Sequence, residues 1–81
     1  AYLDSLGWIY YKKGKLQEAL HYLEKAATFL SEPVIYDHLG DVFLKLGDLE
    51  QAEINWQKSL KLNSQQQAVK AKLSEFIQHG Q

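Results

Sequence analysis

The sequence predicts an all-α fold in which antiparallel helix hairpins stack on one another. Three observations predict it: residues that recur after thirty-three positions, apolar residues at helical spacing, and breaks made by glycine and proline. Nine residues recur in register, from Asp4, Leu6, Gly7, Lys12, Gly14, Leu16, Ala19, Lys25 and Ser31 to Asp37, Leu39, Gly40, Lys45, Gly47, Leu49, Ala52, Lys58 and Ser64. A repeat of this length is one supersecondary unit that stacks on its copies.

Composition narrows the classes of function. The chain has 81 residues, no cysteine and a formal net charge of -1. This charge gives no general attraction to nucleic acid, which is bound by a clustered basic face. No apolar run approaches the roughly 20 residues that span a bilayer, so we expect no membrane insertion. Without cysteine the chain has neither a disulfide framework nor a thiolate metal site, and we expect no cofactor.

The first repeat is predicted to contain two helices. Gly14 ends the first helix, because glycine readily takes the left-handed conformation that closes a helix C-terminus. Pro33 separates the second helix from the next repeat, since proline cannot continue a helix but favours the start of one. The apolar face of the first helix is Leu3, Leu6, Gly7 and Tyr10, and that of the second is Leu16, Ala19, Leu20, Leu23, Ala26, Ala27 and Leu30.

The second repeat follows the same pattern, and a fifth helix follows it. Gly47 ends the third helix, and Asp48 is the predicted N-cap of the fourth. Ser64 and Gln67 fit a capping box that opens the fifth helix, which Gly80 closes. The predicted buried residues are Tyr36, Leu39, Gly40 and Phe43 in the third helix, Leu49, Ala52, Trp56, Ser59 and Leu60 in the fourth, and Val69, Leu73, Phe76 and Ile77 in the fifth.

The fifth helix imitates the first helix of a third repeat. At a spacing of thirty-four, its apolar residues align with Ile35, Leu39, Val42 and Phe43. Its other face carries Lys70, Lys72, Gln66 and Glu75, which we expect to face water. The sequence therefore predicts a solvating cap on the stack, as repeat arrays require. We divide a single domain, 1–81, into a first repeat at 1–33, a second at 34–65 and a capping helix at 66–79.

Two glycines inside the predicted helices indicate where neighbouring helices come close. Gly7 and Gly40 each cost a helix roughly 1 kcal/mol relative to alanine. Such a cost persists where a bulky side chain needs the space, and we expect Leu23 and Trp56 of the paired helices to fill it.

This pattern resembles the tetratricopeptide repeat, a helix-turn-helix unit of about 34 residues. The family motif is carried first by Leu3, Leu6, Gly7, Tyr10, Gly14, Ala19, Leu23, Ala26 and Pro33, and then by Tyr36, Leu39, Gly40, Phe43, Gly47, Ala52, Trp56, Ser59 and Ser64. The family's usual early tryptophan is replaced by Leu3 and Tyr36. The resemblance implies a right-handed superhelical stack that binds a protein or peptide and is not an enzyme. The stretch from Leu6 to Tyr11 is most similar to bacterial members of the family.

The resemblance also implies a concave groove lined by the first helix of each repeat. The positions that point into it are Asp4, Trp8, Tyr11, Lys12, Asp37, Asp41, Leu44 and Lys45. Some family members hold a peptide carboxylate there with lysine, arginine and asparagine, but an acidic set would repel such a ligand. We expect instead a partner segment with basic and apolar residues, Trp8 being a typical binding residue. Alternatively, Asp41 pairs with Lys45 on an ordinary solvated face, and Trp8 packs on a neighbouring repeat.

The remaining patterns favour no catalytic or metal chemistry. His21, His38 and His79 lie on three predicted helices without a carboxylate at ligand spacing, so no metal site is expected. The alternative function is self-association through the uncapped start at Ala1, which would make a homo-oligomer. The uncapped start also leads us to expect that the chain is the C-terminal part of a longer repeat protein.

Overall fold

The computed structural model describes residues 2–79, and the side chains of residues 3–76. This part of the chain folds into five helices, with no strand among the described residues. The helices are α1 (Tyr2–Lys12), α2 (Leu16–Phe29), α3 (Pro33–Leu46), α4 (Leu49–Leu62) and α5 (Gln67–His79). The predicted all-α fold is confirmed. Ala1 and Gly80, which the sequence assigned to the two ends of the stack, lie outside the described residues, as does the side chain of Ile77.

Each helix packs on the next one along the chain, so the helices form sequential hairpins. In addition, α1 contacts α3, which brings together the first helices of the two repeats. One buried cluster joins α2 to α3 and consists of Ala19, Leu23, Ala26, Ile35, Leu39 and Val42. A second joins α4 to α5 and consists of Ala52, Trp56, Val69 and Leu73. Phe43 packs against both clusters and so links the two halves of the stack.

The turns inside the two repeats have the same geometry. Gly14 and Gly47 have φ angles of 79° and 85°, the left-handed conformation that a side chain disfavours. In each turn a backbone N–H after the glycine returns to a carbonyl five residues earlier, from Lys15 to Tyr10 and from Asp48 to Phe43, both at 2.9 Å. Both predicted helix ends are confirmed.

The two helix glycines admit the bulky neighbours that the sequence predicts. A Cβ atom at Gly7 would lie 2.7 Å from Cγ of Leu23, and one at Gly40 would overlap Nε1 and Cδ1 of the Trp56 indole. Both approaches are closer than a Cβ atom tolerates, so glycine is needed where α1 meets α2 and where α3 meets α4.

The predicted capping box before α5 is wrong. Ser64 and Gln65 lie in a turn, and α5 begins at Gln67, so Ser64 is not its N-cap. Instead the Gln66 side chain turns back to the end of α4. Its Nε2 donates to the backbone oxygen and to Oγ of Ser59, both at 2.9 Å, and to the Asn63 oxygen at 3.0 Å. Gln66 therefore satisfies a helix C-terminus rather than facing water, which also corrects its predicted exposure.

The buried stripe of α4 differs from the prediction at its first residue. Leu49 is 47% exposed, whereas Ala52, Trp56 and Ser59 are buried as predicted. Ser59 is accommodated in the core because its hydroxyl donates to the Pro33 oxygen at 2.7 Å. The N-cap prediction for α4 is confirmed, since Asp48 Oδ1 accepts from the Gln51 backbone N–H at 3.2 Å.

Candidate functional site

Polar contacts between successive first helices organise the face that α1, α3 and α5 share. We call the contact between α1 and α3 the first junction and that between α3 and α5 the second. At the first junction, Nδ1 of His38 lies 3.3 Å from Oδ1 of Asp4. At the second, Nζ of Lys72 donates to Asp37 Oδ1 at 2.7 Å and to the two carboxylate oxygens of Asp41 at 3.0 and 3.1 Å. Asp4 and Asp37 are repeat equivalents at a spacing of thirty-three, as are His38 and Lys72 at thirty-four. The same place at each junction therefore holds an aspartate and a nitrogen-bearing side chain.

The prediction that Lys72 faces water is wrong. Its side chain is 33% exposed, and its ammonium group is shared by two carboxylates of α3. Burial alone would lower the pKa of Lys72, but the hydrogen bonds to Asp37 and Asp41 outweigh burial and raise the pKa above its ordinary 10.5. Lys72 therefore carries a positive charge that ties α5 to α3.

The contact favours the charged form of Asp41 less than it favours the charged form of Lys72. Burial raises the pKa of the Asp41 carboxyl above its ordinary 3.8, and hydrogen bonding to Lys72 offsets that rise only in part. The neighbouring Asp37 charge raises this pKa further. Both pKa values are therefore raised, with opposite consequences: the rise favours the charged form of Lys72, whereas burial disfavours the charged form of Asp41 more than Lys72 stabilises it.

Trp8 lies in a stack of aromatic rings that crosses the first junction. Its ring is parallel to that of His38 at 3.9 Å between centroids and to that of Tyr11 at 4.6 Å. Nζ of Lys12 lies 5.5 Å from the centroid of the same ring. Trp8 thus packs on the second repeat, which was one of the two alternatives for this residue.

Tyr11, a member of this stack, lies near Asp41 and Lys72 of the second junction. Burial, and next the Asp41 carboxylate, raise the pKa of the Tyr11 hydroxyl above its ordinary 10.0. Tyr11 therefore keeps its proton at neutral pH and presents a hydrogen-bond donor beside Asp41.

The predicted alternative of an Asp41–Lys45 pair is not observed, because Asp41 pairs with Lys72 of α5.

Two grooves lie beside these junctions. The N-terminal groove, of about 380 Å³, is lined by Tyr11, Lys12, Gly14, Leu16 and Lys45. The C-terminal groove, of about 400 Å³, has an apolar wall made by Leu44, Leu49, Trp56 and Phe76. Its charged lining consists of Asp41, Lys72 and Glu75.

The two grooves are repeat equivalents with different charge. Tyr11 and Leu16 correspond to Leu44 and Leu49 at a spacing of thirty-three. The charged residues of the N-terminal groove are both lysines, whereas the C-terminal groove carries two carboxylates and one ammonium group. The same fold feature is therefore basic at one junction and acidic at the next.

The eight residues predicted for the concave face fall into three groups. Asp4 and Trp8 contact His38, and Asp37 contacts Lys72. Tyr11, Lys12 and Lys45 line the N-terminal groove. Asp41 and Leu44 line the C-terminal groove.

Sequence reasoning missed the residues that α3 and α5 add to this face. His38 was not considered as a partner of Asp4, and Lys72 and Glu75 were expected to face water. The signal was present, since the spacing of thirty-four that aligned the apolar residues of α3 and α5 also aligns His38 with Lys72. That spacing marks the two residues as equivalent, but it does not identify their aspartate partners, which depend on how successive helices pack.

Two models of the tetratricopeptide repeat match the chain, one over residues 1–30 and the other over residues 34–66. The first range contains the α1–α2 hairpin, and the second covers the α3–α4 hairpin except for Pro33. The chain belongs to the tetratricopeptide repeat family. It is a module of two tetratricopeptide repeats followed by a fifth helix, and such repeats generally mediate protein–protein interaction and are typically non-catalytic.

Relatives of this tetratricopeptide repeat module occur in an archaeon and a bacterium. A TPR repeat-containing protein of Methanocaldococcus jannaschii is 39% identical over 49 residues, which are 60% of this chain and 9% of that protein. A TPR repeat-containing protein of Pseudomonas aeruginosa is 44% identical over 41 residues, which are 51% of this chain and 7% of that protein. The matched stretch thus spans less than a tenth of either relative, and the similarity extends beyond the bacterial proteins that the sequence suggested.

Two further features of the described residues bear on the site. None of the helices described for this chain combines the length and the apolar character needed to cross a membrane. In the same part of the chain, no three histidine, aspartate or glutamate side chains are grouped so that they could hold a metal ion.

Proposed function

We propose that the chain is a non-catalytic interaction module that holds a segment of a partner protein against the eight predicted groove residues. The observation that carries the proposal is the pair of repeat-equivalent grooves, about 380 and 400 Å³ in volume, along this face. Grooves of this size are in the range that binds ligands, and two in succession suit an extended or helical segment better than a small molecule.

The cross-repeat contacts support the proposal because they hold the face in place before a partner arrives. The Asp4–His38 and Asp37–Lys72 contacts and the Trp8 stack fix side chains that would otherwise have to be ordered on binding. Ordering an interface side chain costs about 0.5–1.5 kcal/mol, so prior order favours affinity.

The charge of the face favours a partner with basic and apolar residues. Three aspartates, Asp4, Asp37 and Asp41, make contacts across the two junctions, and one ammonium group, that of Lys72, pairs with two of them, whereas Lys12 and Lys45 line the N-terminal groove. The centre of the face is therefore negative at neutral pH, while Leu44 and Leu49 supply exposed apolar area beside it. Such an arrangement attracts basic segments and repels acidic ones.

A selection from a random peptide library displayed on phage tests this function. Enriched peptides are titrated by calorimetry against the wild type and against Trp8→Ala and Lys45→Glu, with folding checked by circular dichroism. We expect basic and apolar peptides whose affinity falls about tenfold in Trp8→Ala. We expect Lys45→Glu to shift affinity in the direction set by the charge of the peptide beside it.

Two variants on α2 provide matched controls. Phe29→Ala removes an exposed aromatic ring and Lys25→Glu makes the same charge change, both away from the proposed face. They should leave affinity unchanged. The proposal is overturned if no peptide is enriched, or if the enriched peptides bind the face variants as tightly as the wild type.

Self-association is a second candidate, favoured by Ile9 on α1. Ile9 is 50% exposed, whereas its repeat equivalent Val42 is fully buried between α3 and the preceding hairpin. A second copy could cover Ile9 as α2 covers Val42. Sedimentation velocity over a concentration range tests this: a dimer that Ile9→Gln dissociates supports it, and a monomer at every concentration rejects it.

A further inference from the structure

We propose that the C-terminal groove is an anchor pocket for one bulky apolar side chain of the partner segment, adjacent to a lysine or arginine of that segment. This inference rests on the proposed function, because it names the chemistry that one part of the face selects. It follows from the exposure of the groove, its Trp56 wall and the charge of Glu75.

Among the described residues, the apolar wall of this groove is less covered than its equivalent at the first junction. Leu44 and Leu49 are 42% and 47% exposed, whereas Tyr11 and Leu16 pack against the first core together with Leu46 of α3. A leucine-like group from a partner would supply the contact that Leu46 makes within the chain.

The deeper part of the groove is rigid and apolar. Trp56 is 2% exposed. Its ring meets the Phe76 ring edge-on at 6.0 Å between centroids, and its Nε1–H donates to the backbone oxygen of Asp37 at 3.3 Å. A ring contact and a hydrogen bond therefore orient the indole that forms this wall of the groove. Preformed apolar pockets of this kind hold the anchor side chains of partner segments.

The rim of the groove selects the charge beside the anchor. Asp41 is engaged by Lys72, but Glu75 is exposed and forms no ion pair with any residue whose side chain the structure describes. A lysine or arginine next to the anchor would complement Glu75. The N-terminal groove has only Lys12 and Lys45 as charged lining, so it would repel the same residue. The two grooves therefore give a bound segment a preferred position.

Two short peptides, acetyl-Ala-Leu-Arg-Ala-amide and acetyl-Ala-Leu-Glu-Ala-amide, probe the pocket directly. Binding is followed by nuclear magnetic resonance at the indole N–H signal of Trp56, which Trp8→Phe distinguishes from that of Trp8. We expect the arginine peptide to shift the Trp56 signal to saturation, and the glutamate peptide to bind about fivefold more weakly.

Variants separate the apolar and charged parts of the pocket. Leu44→Gln combined with Leu49→Gln should weaken the arginine peptide at least about fivefold. Leu62→Gln is the matched control, because Leu62 is also 47% exposed but lies in the last turn of α4. Glu75→Lys should abolish the preference for arginine, whereas Glu24→Lys, an equal charge change on α2, should keep it.

Several outcomes would overturn the inference. It is wrong if neither peptide shifts the Trp56 signal, if both bind equally, or if the leucine double variant binds as well as Leu62→Gln does. It is also wrong if sedimentation shows a dimer that the double variant dissociates, because a second copy would then occupy the pocket. If library peptides bind and lose affinity in Trp8→Ala but not in the double variant, the proposed function stands and the pocket fails. If no library peptide binds, both fail.

Discussion

His38 and Lys72 occupy equivalent positions at successive junctions of the stack, and each contacts an aspartate of the preceding first helix. The equivalent contacts measure 3.3 Å from His38 to Asp4 and 2.7 Å from Lys72 to Asp37. Lys72 additionally holds Asp41, the repeat equivalent of Trp8, which stacks on His38. The second junction thus replaces an aromatic stack with an ion pair, and this difference can be tested by substitution.

Removing the Lys72 ammonium should destabilise the module. Lys72→Met leaves Asp37 and Asp41 close together and partly buried without a counter-charge. We expect a loss of about 1–3 kcal/mol in the free energy of unfolding, measured by urea titration of the circular dichroism at 222 nm. Lys70→Met, an exposed position on the same helix, should change it by less than about 0.5 kcal/mol. Equal losses in the two variants would contradict the assignment.

The same variant should depend on pH in a defined direction. The pKa of Asp41 is already raised above 3.8 in the folded state, and loss of Lys72 removes a factor that lowers it. A carboxyl whose folded pKa lies above its unfolded pKa favours folding more as pH falls through the folded value. The stability difference between wild type and Lys72→Met should therefore shrink as pH falls from 7 towards 3.8. Urea titrations at several pH values measure this, and a difference that grows on acidification would refute it.

Gly40 should tolerate alanine less well than Gly7 does. An added Cβ at Gly40 overlaps the planar indole of Trp56, whereas one at Gly7 lies 2.7 Å from Cγ of Leu23, a smaller side chain, and 3.3 Å from the backbone oxygen of Ala19. We expect Gly40→Ala to lower stability by about 1–3 kcal/mol, despite the helical preference of alanine. Thermal unfolding of Gly40→Ala alone and combined with Trp56→Leu provides the measurement. Gly40→Ala should lower stability less in the Trp56→Leu background than in the wild type, because the indole that it would clash with is gone. An equal loss in both backgrounds would argue against the clash.

The link between α4 and α5 should depend on Gln66 and not on Ser64. Gln66→Ala removes the hydrogen bonds to the Ser59 and Asn63 oxygens, with an expected loss of about 1 kcal/mol. Ser64→Ala serves as the control, because Ser64 is exposed and is not the N-cap of α5. Urea unfolding of both variants decides the point: a larger loss in Ser64→Ala would restore the capping box.

The helices, turns and glycine contacts could be predicted because they depend on local chain properties repeated at a fixed spacing. Gly14 and Gly47 end helices by their backbone freedom, and Gly40 faces Trp56 by register alone. The path of Gln66 could not be predicted, since it depends on which of several nearby carbonyls a long side chain reaches. The same limit applies to Lys72, whose partner is decided by the angle at which α5 packs rather than by its own helix.

The exposure of Leu49 has a similar cause. Its repeat equivalent Leu16 packs against the first core, and the repeat pattern predicts the same environment for both leucines. The difference arises in the third dimension, where α5 contacts α4 less extensively than α3 contacts α2. The candidate site was therefore located in outline by the repeat pattern, while its open pocket required the packing of the last helix.

Trp56 links the C-terminal groove to the order in which the helices of the module unfold. Its ring lies on Gly40, meets Phe76 and forms part of the second core. The same side chain therefore lines the C-terminal groove and packs against α5. Because α5 has the least extensive contact among the sequential helix pairs, it should peel away first under heat or mechanical load. The groove would then vanish while most of the helical content survives, and ligand capture would end well before global melting.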